Sequence, residues 1–267
     1  MENEAETEEK TNFCGGGHRL LLFAGLLLLA VLVGTAIFFT VKGNGSGENR
    51  TKVGIKYLKS LETKDAAAIE NEIKAIKKKE KREALENGEL TVWEQFDDYA
   101  IVGDSRALGF YEYGFLPSER ILAHKGATIL NIPDYMENLR NLNPSNIFLS
   151  YGENDICLGY WDTPRKYAKA VGEVVESIKS ELPGAIVYVN SIFPVEPKAY
   201  EQVEKLKEIP EYNEALKMYC ENQGYPYIDN TKTIEEHADL YDVDGVHFQK
   251  ELYEYWAINL LEEVEIE

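Results

Sequence analysis

The chain has 267 residues, 44% of them hydrophobic and 11% aromatic, which is enough for one well-buried domain of ordinary size plus appendages. Its formal net charge of −19, from 47 acidic against 28 basic residues, argues against a nucleic-acid partner, because phosphate contacts need clustered Lys and Arg. Cys14, Cys157 and Cys220 are odd in number and widely spaced, with no C-x-x-C pair and no His at ligand spacing, so neither a disulfide framework nor a zinc site is expected.

The N-terminus divides into an acidic tail, a glycine-rich joint at Cys14 to Gly17, and an uncharged apolar run from Leu20 to Val41. At 1.5 Å rise per residue that run is long enough to cross a bilayer as a helix, which makes residues 1–19 a short tail and 20–41 a transmembrane anchor. A cleaved signal peptide stays open through Gly34-Thr35-Ala36, although its apolar region is normally shorter. Lys10 and Arg19 precede the run, whereas Lys42, Arg50, Lys52, Lys56 and Lys59 follow it, so a charge count alone keeps the large C-terminal part in the cytoplasm. Long domains translocate largely regardless of charge, however, and a short tail, one span and a large domain form the usual signal anchor. The expectation is a single-pass protein of the cell membrane with its catalytic domain extracytoplasmic.

Gly43 to Arg50 reads as a flexible exit linker, and Thr63 to about Asn87 as a helical stalk with Ile69, Ile73 and Ile76 at helical spacing. Residues 42–95 are therefore assigned to linker and stalk, and 96–267 to the catalytic domain. Within the stalk, Lys77, Lys78, Lys79, Lys81 and Arg82 form a basic run; an anionic surface is one reading, a solvated helix face the other, and no chemistry is assigned to it.

From Tyr99 onward short β-prone runs alternate with helical patterns. The strands are Tyr99 to Val102, Arg120 to Ala123, Asn146 to Ser150, Ala185 to Ser191 and Tyr227 to Asp229. Helices fit near Arg106 to Tyr113, Ile132 to Asn141, Pro164 to Leu182 and Ile209 to Asn222, with a last one from Gln249 to about Glu263. Such alternation predicts an α/β fold with a mostly parallel sheet covered on both faces, binding its ligand at the carboxyl ends of the strands.

Three islands fall at such positions or in late loops. Ser105, in Gly103-Asp104-Ser105, follows the first strand, where its hydroxyl lies at the sheet edge and its N–H near a helix N-terminus. Gly-Asp-Ser alone is equally a turn or helix cap. A serine hydroxyl needs a base, a group orienting that base, and donors for a developing oxyanion. His247, in Asp244-Gly245-Val246-His247, is the candidate base, and Asp244, three residues earlier across a turn that Gly245 permits, the candidate orienter. Gly126 follows the second strand and lets a backbone N–H approach a ligand; Asn154, after the third, supplies a neutral amide donor. Asp155 reads as a brace for that loop. His124 and Lys125 have no orienting partner, His18 abuts the apolar run, and His237 sits in a polar stretch, so none of them joins the set.

Gly103-Asp104-Ser105, Gly126, Gly152-x-Asn154-Asp155 and Asp244-x-x-His247, in this order, resemble the four sequence blocks of the SGNH (GDSL-type) hydrolase family, over about Tyr99 to Glu263. The resemblance implies a flavodoxin-like three-layer α/β/α sandwich and metal-free, cofactor-free hydrolysis of carboxylic esters. It implies Ser105 as nucleophile, His247 as base, Asp244 as its orienter, and the Ser105 and Gly126 N–H groups with the Asn154 side chain as oxyanion hole. Arg106 departs from the leucine usual after the serine, and a charged residue there suits a polar substrate. No apolar insertion separates the blocks, and Ile156, Leu158, Tyr160, Trp161 and Phe248 are enough to line a modest pocket. The expected activity is an O-acyl esterase, acetyl foremost, on cell-envelope or extracellular carbohydrate. An O-acyltransferase with the same triad, a lysophospholipase or thioesterase, and a silent glycan-binding module remain alternatives.

Overall fold

The computed structural model describes residues 47–62 and 66–264. The tail, the apolar run 20–41 and residues 43–46 of the linker lie outside the described residues. No described helix is long and apolar enough to cross a membrane. The chain divides into two compact units, residues 1–72 and 73–267.

In the first unit, helix α1 spans Gly47–Glu62. Gly47 to Arg50, expected as flexible linker, are thus its first turn; the Lys, Leu and Glu residues that follow are good helix formers and outweigh the two glycines, Gly47 and Gly54. Helix α2, Ala66–Glu86, is the expected stalk helix, but the second unit begins within it, at Ile73. Residues 73–95, assigned above to linker and stalk, belong to this second unit. The reason is burial: Leu85 and Val92 both lie in the core of the second unit.

The basic run explains how the end of α2 is held. Helix α10, Leu252–Glu263, ends on two glutamates, where the helix dipole is already negative. Arg82 donates to Asn259 Oδ1 at 2.9 Å and Glu262 Oε2 at 2.7 Å; Lys78 pairs with Glu262 at 3.6 Å and also with Glu263; Lys81 donates to the Val264 carbonyl at 2.9 Å. The reading of this run as a solvated face holds for Lys77 and Lys79, which are exposed, and fails for these three.

The sheet comprises β1 Tyr99–Gly103, β2 Ile121–Ala123, β3 Asn146–Ser150, β4 Ile186–Asn190 and β5 Tyr227–Ile228, all parallel, in the order β2-β1-β3-β4-β5. The strand pattern is nearly continuous in apolar residues because both faces are covered. Ala100, Val102, Ile147, Leu149, Val187 and Val189 face one layer, formed by α4 (Ile132–Leu142), α6 (Pro164–Glu181) and α8 (Ile209–Gln223). Tyr99, Ile101, Phe148, Tyr188 and Ile228 face the other, formed by α3 (Ser105–Glu112) and α10. This is the expected three-layer α/β arrangement with the flavodoxin strand order.

Three short helices had no counterpart in the sequence pattern: α5 (Glu153–Leu158), α7 (Pro197–Tyr200) and α9 (Thr231–Glu236). With four to six residues each, they are too short for a helical period to emerge.

Trp256 on α10 is fully buried, with ring centroids 4.6 Å from Phe110 and 4.7 Å from Phe193, so it joins α10, α3 and the loop after β4. Replacing Trp256 by Ala is expected to lower the unfolding free energy by about 3–5 kcal/mol, read as a lower urea midpoint at unchanged slope.

Candidate active site

In this strand order the chain leaves β1 toward β2 on one side and β3 toward β4 on the other, so a crevice opens where β1 and β3 lie side by side. Ser105 stands at that point, as the first residue of α3 directly after β1. Asp104 caps the helix, Oδ1 accepting the Arg106 N–H at 2.9 Å.

The structure brings Ser105, His247 and Asp244 together across 142 residues of sequence. Ser105 Oγ lies 2.8 Å from His247 Nε2, and His247 Nδ1 lies 2.6 Å from Asp244 Oδ2. Since a carboxylate can only accept, Nδ1 carries the proton and Nε2 presents its lone pair to the serine hydroxyl.

A tight turn makes this spacing. Gly245 adopts φ +74°, its N–H reaches the Asp242 carbonyl at 3.0 Å, and the Asp242 N–H reaches the His247 carbonyl at 2.8 Å. The turn folds Asp244 back so that Oδ1 accepts the N–H groups of Val246 and His247, each at 2.9 Å. Partial burial works to raise the Asp244 carboxyl, but the His247 ring and these two amides together hold it below the usual carboxylate range. The loop after β4 braces the turn through Glu196 N–H to the Gly245 carbonyl at 2.9 Å.

Gly126 is exposed in the loop after β2 with φ +77°. Asn154, on the first turn of α5, donates through Nδ2 to the Ala127 carbonyl at 3.1 Å, so the two expected oxyanion donors sit on backbones joined directly. One amide hydrogen of Asn154 is used in this bond and the other is left to point elsewhere. Two residues earlier, Gly152 has φ +131°, and a Cβ there would lie 2.4 Å from Ile192, so glycine alone fits where the loop leaves β3.

Asp155, expected as a brace, is fully buried. Its Oδ1 accepts Trp161 Nε1–H at 3.2 Å, and both oxygens lie 3.4 Å from the Ile129 nitrogen. Burial pushes its carboxyl up to about 6; the bonds from Trp161 and Ile129 offset part of this and the nearby Asp104 adds to it.

Arg106 corrects an expectation. Its side chain is only 3% exposed, 3.4 Å from Asp104 and 5.3 Å from the Phe193 ring centre, so its charge serves a buried ion pair and does not face a polar substrate. An i,i+2 pair flanking a serine at a helix start was the available signal, read as surface chemistry. The pocket set changes too: Ile156 and Phe248 are core residues, whereas Leu158 and Tyr160 are exposed and Trp161 half-buried. His124 pairs with Tyr135, Lys125 with Glu112, and His237 stacks on Tyr255, all apart from the relay.

A family model described as the GDSL-like lipase/acylhydrolase family matches residues 104–255. Comparison with curated protein sequences found no match. Among solved structures, the chain is similar to a GDSL-like protein from Parabacteroides merdae ATCC 43184, at 15% identity and a TM-score of 0.52, covering 62% of this chain and 94% of that one. It is likewise similar to a lipase/acylhydrolase from Enterococcus faecalis, at 16% identity and a TM-score of 0.50, covering 62% and 93%. At such identities the likeness is one of fold.

The Asp155 carboxyl has a stability consequence of definite sign. An unfolded aspartate titrates near about 3.9, so between there and about 6 the native chain binds more protons, and stability falls as pH rises through that window. Asp155→Asn removes the effect. The unfolding free energy of this variant relative to the native chain is expected to rise between pH 4 and 6 by up to ~3 kcal/mol and then level off, as measured by urea unfolding at a series of pH values.

Proposed function

This chain belongs to the GDSL-like lipase/acylhydrolase family and is an ester hydrolase, and on that premise we propose that it works through an acyl-serine intermediate on Ser105. The observation that carries the reading is the relay Ser105 Oγ, His247 Nε2, His247 Nδ1, Asp244 Oδ2, with links of 2.8 and 2.6 Å. As Ser105 Oγ attacks the ester carbonyl, His247 takes its proton and then passes it to the departing alkoxide. Water, deprotonated in turn by His247, attacks the acyl-serine and releases the acid. Asp244 fixes the tautomer and stabilises the imidazolium formed in each half-reaction. The oxyanion of each tetrahedral intermediate is held by the N–H groups of Ser105 and Gly126 and the free amide hydrogen of Asn154.

The proposed substrate is a short O-acyl ester, acetyl foremost, on a carbohydrate of the cell envelope or its surroundings. In support, Ile156 and Phe248 are taken up by the core, which leaves little apolar lining for a long acyl chain. The exposed Tyr160 ring, on the segment that follows α5, suits a sugar face. We further propose that the uncharged run 20–41 anchors the chain in the membrane with the hydrolase domain outside the cytoplasm. Its length and lack of charge support the anchor.

The full chain is expected to hydrolyse p-nitrophenyl acetate faster than butyrate, and octanoate least, with Ser105→Ala abolishing turnover. Asn154→Ala is expected to lower kcat about 10²–10³-fold. Octanoate as the best substrate overturns the short-acyl reading, and turnover that survives in Ser105→Ala overturns the nucleophile. For the anchor, alkaline carbonate is expected to leave the full chain in the membrane pellet; its release into the supernatant removes that proposal.

A further inference from the structure

Resting on the hydrolase reading above, we propose that Asp155 is a positioning residue: its carboxylate fastens the backbone that follows Gly126 to the backbone that carries Asn154, and thereby sets the spacing of two oxyanion donors.

The loop from His124 to Asn131 closes its own two ends. Ala127 N–H reaches the His124 carbonyl at 3.2 Å, and a capping box links Thr128 and Asn131, with the Thr128 N–H on Asn131 Oδ1 at 3.0 Å. Within the first closure sits Gly126, at a backbone angle without a side chain to hold it. Among the described residues, the hydrogen bonds joining this loop to α5 come from two adjacent residues: Asn154 Nδ2 to the Ala127 carbonyl, and the Asp155 carboxylate to the Ile129 N–H. The clip therefore holds residues 127 and 129, immediately beyond the Gly126 peptide. Trp161 anchors its other side, Nε1–H donating to Asp155 Oδ1 at 3.2 Å.

The carboxylate meets both donors with acceptors only: Oδ1 lies within reach of Trp161 and Ile129, and Oδ2 of Ile129, whereas the carboxamide of Asn replaces the second oxygen by a donor turned toward the Ile129 N–H. A purely structural brace would not need the charge, which is buried and lies near a second buried carboxylate, Asp104. Around it, Asp104 comes from the end of β1, Tyr151 from the end of β3, Tyr167 from α6 and Tyr212 from α8; burial pushes all three phenols up, so the tyrosines are neutral over the working range. The group that titrates inside the clip is Asp155 itself, pushed up to about 6. Its protonation removes the charge and turns an O–H toward groups that are themselves donors, which loosens the clip.

The test compares the full chain with Asp155→Asn and Trp161→Phe on p-nitrophenyl acetate between pH 4.5 and 8, with melting temperatures at pH 7. For Asp155→Asn, kcat is expected to fall about 10- to 100-fold with KM within about twofold, less than the loss of a whole donor, while the melting temperature does not fall. In the native chain the acid limb of log kcat/KM is expected to steepen below about pH 6, where the clip titrates. Asp155→Asn removes this steepening from the slope. Trp161→Phe removes a bond that holds the carboxyl down and shifts the limb to higher pH. Native kcat and slope in Asp155→Asn overturn the proposal, and so does a loss of activity matched by a lower melting temperature with no shift in Trp161→Phe. If the native chain shows no turnover that Ser105→Ala abolishes, the hydrolase reading itself fails, a result distinct from either of these.

Discussion

The arrangement depends above all on one carboxylate held by its own turn. Asp244 accepts two backbone amides and one ring N–H within four residues, so the acceptor that orients His247 is held by local contacts of the turn itself. Fixing it this way costs little conformational entropy, because the turn that positions Asp244 also positions His247. What the turn cannot do is find the serine. That requires the sheet, which delivers Ser105 at the end of β1, and the bracing of the turn by the loop after β4.

Behind the crevice the packing is aromatic. Phe193 meets Phe248 at 5.5 Å and Trp256 at 4.7 Å, and Phe110 meets Tyr253 at 5.1 Å, so the residues following Ser105, those preceding α10 and those following β4 share one cluster. Phe248 directly follows His247, which makes the core the rigid support of the base. The Tyr253 hydroxyl adds a bond to the Arg106 carbonyl at 2.8 Å. Charge is buried in the same region at Asp104, Arg106 and Asp155, each with a specific partner, as burial of charge demands.

The long basic and acidic elements at the edges do a different job. Arg82 and Lys78 bind the two glutamates that end α10, the helix on which Trp256 and Tyr253 lie, so a surface ion-pair network steadies the layer behind the site. Exposed ion pairs are worth little singly, but Arg82 here joins Glu86, Asn259 and Glu262 at once.

The sequence by itself determined the fold class and the catalytic candidates. Strand cores such as Tyr99 to Val102 and Asn146 to Ser150 are read from local apolar runs, and Ser105, Gly126, Asn154, Asp244 and His247 from turn chemistry at strand ends and before the last helix, because both signals lie within a few neighbouring residues. The apolar run 20–41 is likewise a property of the sequence alone. Only the tertiary structure decided where charge goes. Arg106 looked like a substrate contact, Lys81 and Arg82 like a solvated face, and Phe248 like pocket lining; each is placed by partners distant along the chain, Phe193, Val264 and Asn259 among them. Burial and long-range pairing are sums over contacts that close only when the chain folds, so no local pattern can report them.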